Sequence, residues 1–343
     1  MLKGITVIEF GRIFSAPLSG KILSDLGARV IKIERKNTGD DSRHYGMMID
    51  EKTSDYFFAL NSNKELMELD LKDPQDLKIC LNLLKDADIL IHNSLQKSFD
   101  KLGLSYETVK KINPLLIYTS ISGYGNGSKY QNDPSQDMTI QGLSGFMSLN
   151  GYKDGSPLKT GVPVIDYATG QNAVIGILAA LFERKQTGKG KHVSVSLLET
   201  ALSVTSIEAT RYLNLGHIAT RNGNRHYSIA PYNSYQVKDG YINIAIANDE
   251  MFQRLASVLN IDYQTFSTNA KRLEQIDYLD SLIGEKLINY TTKKIITLLK
   301  ENKISCGPIN NIAQAFESLE VKELALIKEH NNKKYIRTPI NFN

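Results

Sequence analysis

The sequence predicts an α/β protein: a Rossmann-like parallel sheet in a large domain, followed by a smaller α+β domain. Short β-rich runs alternate with amphipathic helical stretches through the N-terminal half, the connections between them are short, and composition changes near Gly216. The 343 residues suffice for a sizeable core and for two domains. The large domain is expected over 1–215 and the small one over 225–315, with linkers at about 216–224 and 316–325.

The first strand is Ile5–Glu9, followed by a helix near Leu18–Leu26 and a strand Arg29–Ile33, which completes a β-α-β unit. The pattern repeats with a helix Asp73–Lys85, a strand Asp88–Ile91, a helix Ser105–Ile112 and a strand Leu115–Ile121. Gly11 is followed by Arg12 and not by the second glycine of a GxGxxG, and no GxxxxGK[ST] occurs, so neither NAD nor P-loop chemistry is indicated. Residues 120–161 are rich in Gly and Ser and read as loops, which at the C-terminal ends of parallel strands commonly line active sites.

A long helix follows, with Pro163 as its start and Gly188 as its stop. Asp166 lies in its first turn, where the helix dipole favours an acid, so the residue alone reads as an ordinary first-turn carboxylate. Next come a turn at Thr187–Lys191, a strand His192–Leu197 and a helix to about Leu213. The small domain opens on a hairpin, Asn233–Val237 and Tyr241–Ala247, turned by Lys238-Asp239-Gly240. Helices are expected at Asp249–Leu259, Leu273–Asn289 and Thr292–Asn302.

The net charge of +4 is modest and the basic residues are interspersed with acids, which argues against nucleic-acid binding. No uninterrupted apolar run is expected to cross a bilayer, and the acid-bearing N-terminus resembles neither a secretory nor a transit peptide; a soluble, cytoplasmic protein is expected. Cys80 and Cys306 lie far apart without a CxxC or Cys/His cluster, so each is expected to be a buried thiol, and no metal or redox cofactor is implied. Arg29, Lys32, Arg35, Lys36 and Arg43 cluster near one strand end, but Glu34, Asp40 and Asp41 offset most of the charge, as in a solvated loop.

In order and spacing, LKGITVIEFGRIFSAPLSGKILSDLGARVIKIER, GDDSR, LDLKDP, LIHN, KLGLSYE, NPLLIYTSISGYG, GLSGFMSLNG, GVPVID, GILAALFERKQTGKGKHVSVSLLE, HYSIAPY and CGPIN resemble the class III CoA-transferases. That family includes formyl-CoA transferase and the carnitine CoA-transferase (CaiB/BaiF), with the α-methylacyl-CoA racemases as relatives. The resemblance runs almost end to end. It implies that Asp166 is a nucleophile, which replaces the ordinary reading of that residue. It implies acyl-CoA and a small carboxylic acid as substrates, with no tightly bound cofactor, and succinate as the default donor acid.

By motif position the resemblance implies CoA contacts at Phe14, Ser15, Arg35, Leu69, Lys72, Asn93, Ser94 and Lys101. Many relatives have an aromatic residue where this chain has Ser94 and arginine where it has Lys101, and a lysine holds phosphate as a point charge, so looser CoA binding is expected. Gln136, Asp137, Met147 and Tyr167 are expected near the acyl group, and Gly142–Gly151 as a mobile cover. Helix N-terminal amides near Asp166 are expected to stabilise oxyanions. Family members return to the large domain at the C-terminus, here 320–343, to complete ring-shaped subunits that interlock as a homodimer. Here the segment from Glu329 to Thr338 is short, which bears on ring closure.

Two other readings stand beside transfer. A racemase needs two acid/base groups on opposite faces of a planar enolate, and relatives of that type carry a His-Asp pair where this chain has Gln136-Asp137. Glutamine does not exchange protons near neutral pH, and His226 reads better as a structural hinge residue. A CoA-binding protein without chemistry has no use for a desolvated carboxylate at Asp166.

Overall fold

The structure, a computed structural model, describes residues 1–342. Two compact units divide the chain: one holds Met1–Met147, Lys159–Ile218 and the chain from Ala325 on, the other Ser148–Leu158 and Ala219–Leu324.

The elements of the first unit run β1 (Thr6–Phe10), α1 (Ser15–Asp25), β2 (Arg29–Arg35), α2 (Asp55–Asn61), β3 (Glu65–Leu69), α3 (Pro74–Asp86), β4 (Ile89–His92), α4 (Gln96–Lys101), α5 (Tyr106–Ile112), β5 (Ile117–Ser122), α6 (Asp137–Leu143), α7 (Phe146–Leu149, its end in the second unit), α8 (Val164–Thr187), β6 (His192–Ser196), α9 (Leu197–Val204) and α10 (Ser206–Leu215). Six strands form one parallel sheet in the order β3-β2-β1-β4-β5-β6. Alternate residues of β1, β2, β4 and β5 feed two cores. Val7, Val30, Ile89 and Ile117 pack with α1 and α8, and Ile8, Ile31, Leu90 and Tyr118 pack on the other face with Cys80, Leu84 and Val109. Covering both faces is what a parallel sheet requires.

The second unit has the antiparallel sheet β7 (Tyr232–Val237), β8 (Gly240–Ala245) and β9 (Cys306–Pro308). Around it lie α11 (Asp249–Leu259), α12 (Asn269–Glu274), α13 (Ile276–Leu287), α14 (Thr292–Glu301), α15 (Ile312–Glu317) and α16 (Leu319–Glu323). A final hairpin, β10 (Ile327–His330) and β11 (Lys333–Ile336), belongs to the first unit and turns on Asn331 and Asn332, both at positive φ. It is tied down by Tyr335 Oη to Asn63 at 2.8 Å and by the Thr338 N–H to Asp25 at 2.7 Å.

The α/β class with a parallel sheet agrees with the sequence reading; several details differ. The helix expected at Leu273–Asn289 is two, α12 and α13, because Gln275 leaves helical geometry at φ −114, ψ 30. The helix expected to run to Leu213 breaks at Thr205, whose hydroxyl donates back to the carbonyl of Leu202 at 3.1 Å, the competition with helix bonding that Thr offers. The Gly/Ser-rich stretch is partly helical, since Ile140 of α6 is buried against Ile165, Leu197 and Ala201. The strand β3 escaped notice because only Leu69 of it is buried. Cys80 is buried as expected, its thiol pushed up to about 12 by desolvation, whereas Cys306 is only half-buried.

Against expectation, one helix, α8, has the length and hydropathy of a bilayer-crossing segment. Its apolar residues have another explanation, since Ala173, Val174, Ile177, Ala180 and Leu181 sit in the core. Gly188 ends it in the left-handed conformation at φ 63, as the sequence indicated. Pro163 is the residue before the first helical position and not the first helical residue.

Candidate active site

In this strand order β1 and β4 are neighbours whose following segments leave in opposite directions, and a crevice opens at the C-terminal ends of such strands. A cavity of about 860 Å³ lies there. Its walls come from the turn after β1 (Arg12 to Ser15), the turn after β4 (Asn93 to Leu95), the turn after β5 (Ser122, Gly123), the start of α6 (Asp137, Met138) and the start of α8 (Pro163, Asp166). A second cavity of about 420 Å³ shares Arg12 and Ser94 with it. This one is lined by apolar Ile33, Leu69, Leu71, Phe99 and Leu102 and by cationic Arg35, Lys36 and Lys72.

Asp166 is in the first turn of α8, and its carboxyl is pushed up to about 7, chiefly by burial and then by the negative charge of Asp137. The Ser15 hydroxyl offsets part of that rise. Asp137 accepts the backbone N–H of Ile165 at 2.9 Å and of Asp166 at 3.1 Å through the same carboxylate oxygen. Its other oxygen accepts from Gln141 at 2.5 Å, and buried Gln141 also accepts the Thr160 N–H at 3.1 Å. The expectation that amides at the start of α8 stabilise oxyanions is therefore corrected: Asp137 takes two of them, and the Val164 N–H goes to the Val162 carbonyl at 2.8 Å. At the start of α1 the amides of Ser15 and Ala16 have no hydrogen-bond partner among the described residues.

Packing fixes the separation of the two helix starts. A Cβ on Gly170, one turn beyond Asp166, would lie 2.8 Å from the Ser15 carbonyl oxygen, so only glycine lets α1 and α8 approach this closely. Ser19 Oγ donates to the Ser15 carbonyl at 2.9 Å or the Gly170 carbonyl at 3.0 Å, linking the same two segments.

Of the residues named from sequence, Phe14, Ser15, Asn93, Ser94, Gln136, Asp137 and Asp166 line the larger cavity. Arg35, Leu69 and Lys72 line the smaller one with Ser94. Lys101 lines a separate, open depression with Lys97 and Gln131. Met147 and Tyr167 line none of these cavities. His226 lies in the second unit, stacked on Tyr227 at 4.6 Å, with its Nδ1 accepting the Ser228 N–H at 3.1 Å.

Sequence reasoning missed Arg12, Tyr45, Tyr56 and Lys159 of the larger cavity. Tyr56 packs edge-on against Phe14 (ring centroids 6.0 Å apart) and Tyr45 (5.8 Å), and its hydroxyl is pushed up to about 12 by burial and by the charge of Asp166. Asp41 pairs with Arg12 and, at 2.7 Å, with Arg35. The arginine in FGR was the available signal for Arg12; Tyr45 and Tyr56 lie in no motif singled out.

The sequence model of CoA-transferase family III matches residues 2–343. The chain is 35% identical over 335 residues to a succinate–glutarate CoA-transferase of Agrobacterium fabrum, covering 95% of this chain and 84% of that protein. It is 33% identical to the succinyl-CoA:glutarate CoA-transferase of Mus musculus, covering 96% and 77%. Among solved structures, a CAIB/BAIF family protein from Brucella suis superposes with a TM-score of 0.92 at 36% identity, covering 99% of this chain and 92% of that one.

Proposed function

The chain belongs to CoA-transferase family III, and we propose that it moves CoA from an acyl-CoA thioester to a free carboxylic acid through covalent intermediates on Asp166. The observation that carries this reading is Asp166 itself, a carboxylate at the wall of a large cavity, raised to about 7 by burial and Asp137. A carboxylate of that basicity is a better nucleophile than an exposed one and still ionises at neutral pH.

The Asp166 carboxylate attacks the thioester carbonyl and expels CoA thiolate, leaving a mixed anhydride. The thiolate then attacks the aspartyl carbonyl and releases the donor acid, forming an aspartyl-CoA thioester. The acceptor carboxylate attacks that thioester, and thiolate returned to the new anhydride frees Asp166. Each attack develops an oxyanion, for which the unbonded Ser15 and Ala16 amides are the available donors. The intermediates are hydrolysable, so water must be kept out, and the segment 142–151 is our candidate cover.

The two cavities suit the two ends of the substrate. The reactive thioester and acid belong with Asp166, while the smaller cavity offers cations for phosphates and apolar Leu69, Leu71 and Phe99 for the adenine. Similarity to the Agrobacterium fabrum and Mus musculus enzymes supports succinate and glutarate as the acids. Arg12 and Lys159 are the cations lining the larger cavity, and only Arg12 is paired with a carboxylate. Lys159 is thus the group placed to meet the distal carboxylate of a dicarboxylic acid. The cavity wall contains no histidine among the described residues, which disfavours racemisation.

A homodimer, interlocked as the family resemblance implies, and a cytoplasmic location complete the proposal. Exposed Ile175, Phe182, Ile207 and Leu213 on α8 and α10 support a covered apolar face in the first unit. The test of the chemistry is mass spectrometry after incubation with succinyl-CoA and hydroxylamine. A hydroxamate at Asp166, missing from Asp166→Ala, is the expected result; incorporation of solvent deuterium at the α-carbon without labelling would replace transfer by racemisation.

A further inference from the structure

Behind the turn between β1 and α1 runs a chain of alternating charges that the transfer chemistry does not use. Lys64 Nζ lies 2.6 Å from one oxygen of Glu9, Lys32 Nζ lies 3.2 Å from the other, and Lys32 Nζ is 2.9 Å from Asp40. All four side chains are buried, none more than 1% exposed. Buried ion pairs of this kind are poor sources of stability, because desolvation offsets the attraction. Their geometry has another use.

Each member except Glu9 also grips main chain in the turn between β1 and α1 or in the first turn of α1. Lys32 donates to the Gly11 carbonyl at 2.5 Å, Asp40 accepts the Ile13 N–H at 3.1 Å, and Lys64 donates to the Pro17 carbonyl at 2.8 Å. From the other side Asn93 accepts the Arg12 N–H at 2.9 Å and donates to the Arg12 carbonyl at 2.8 Å. Between these anchors Ile13 stands at φ 64, a left-handed conformation that a β-branched residue adopts only under constraint. The next two residues are Phe14 and Ser15, both in the cavity wall.

We propose that the Lys64–Glu9–Lys32–Asp40 chain is a positioning device that holds the first βα turn in its strained form, keeping Ser15 at the nucleophile; this rests on the reading of Asp166 given above. Asp40, at the end of that chain, is the positioning residue. It also accepts from the Ser42 N–H and hydroxyl, each at 2.9 Å, so its carboxylate is fixed from behind. If the grip loosens, Ile13 relaxes, and the Ser15 hydroxyl that favours ionised Asp166 moves away.

The test is a pair of variants read by turnover and by the acid limb of the pH profile. Asp40→Asn is expected to lower kcat about tenfold with KM for acyl-CoA changed less than about twofold. Its acid limb moves to higher pH. Loss of a negative charge would by itself move the limb down, so the upward move reports the lost Ser15 contact. Glycine accepts positive φ, so Ile13→Gly added to Asp40→Asn removes the strain to be released, and about threefold or more of kcat returns. Wild-type kcat and limb in Asp40→Asn, or no recovery in the double variant, would overturn the proposal.

A measurement on the unaltered protein covers the case in which Asp40→Asn does not fold. Amide exchange by mass spectrometry should find the Arg12 and Ile13 amides, held by Asn93 and Asp40, protected; exchange as fast as in the exposed 127–133 segment would sink the device. Failure of the Asp166 reading is separable, since the wild type would then yield no hydroxamate while the turn stayed protected.

Discussion

The carboxylate of Asp137 accepts the backbone N–H of Asp166 at 3.1 Å and at the same time raises the side-chain pKa of Asp166 through its charge. One group thus fixes the backbone of Asp166 and sets the basicity of its side chain. The proposed attack requires ionised Asp166, so kcat/KM should rise with pH through a limb near the carboxyl's value of about 7. Asp137→Asn keeps an acceptor for the helix amides and removes the charge, so the limb should move down by about one unit. A pH–rate profile measures it, and an unmoved limb would refute the coupling.

A raised carboxyl also destabilises the fold at high pH. The folded acid holds its proton up to about 7 and the unfolded one releases it near 3.8, so between these values the native state binds more protons and stability falls as pH rises. Above that window the full cost is present. Asp166→Asn should therefore raise stability at pH 8 by about 2–4 kcal/mol and change little at pH 4. Thermal melts at the two pH values decide it; equal shifts at both would contradict the burial argument.

Lys159 is exposed at the rim of the larger cavity, its Nζ donating to the Thr160 carbonyl at 3.0 Å. If it meets the far carboxylate of a dicarboxylic acid, Lys159→Ala should raise KM for glutarate about tenfold and leave KM for a monocarboxylic acid within about twofold. Steady-state kinetics with both acids gives the comparison, and equal losses would place the distal carboxylate elsewhere.

Phe182 is 68% and Leu213 78% exposed, more than a lone soluble subunit commonly leaves uncovered beside Ile175 and Ile207. Light scattering should give about twice the 38.4 kDa of one chain. Phe182→Glu with Leu213→Glu should halve that mass. A monomeric wild type would end the proposal that a second copy covers this face.

What could be read in the sequence was local. Asp166 was found because Pro163, the apolar pattern and Gly188 mark one helix by themselves, and the family's motif marks the acid within it. Arg35, Leu69 and Lys72 come together because strand ends in a parallel sheet share an edge, and each lay in a quoted motif. Tyr56 escaped because it reaches Phe14 only through the packing of α2 on α1. Asp137 was named near the acyl group, but its hold on α8 spans 29 residues and depends on Ile140 burying α6, which a Gly/Ser-rich composition hid. The breaks at Thr205 and Gln275 were invisible to periodicity, since the apolar pattern continues across both.

Asp25, at the end of α1, pairs with Lys21 at 2.6 Å, accepts from Asn63 at 3.0 Å, and takes two more bonds from the N–H and hydroxyl of Thr338, 313 residues later. During translation the first unit is therefore left open until Thr338 has emerged, while every residue of the second is already made by Leu324. The small unit has the opportunity to fold first, and the unit that carries Asp166 closes after it, with the segment that bears Thr338 acting as its latch.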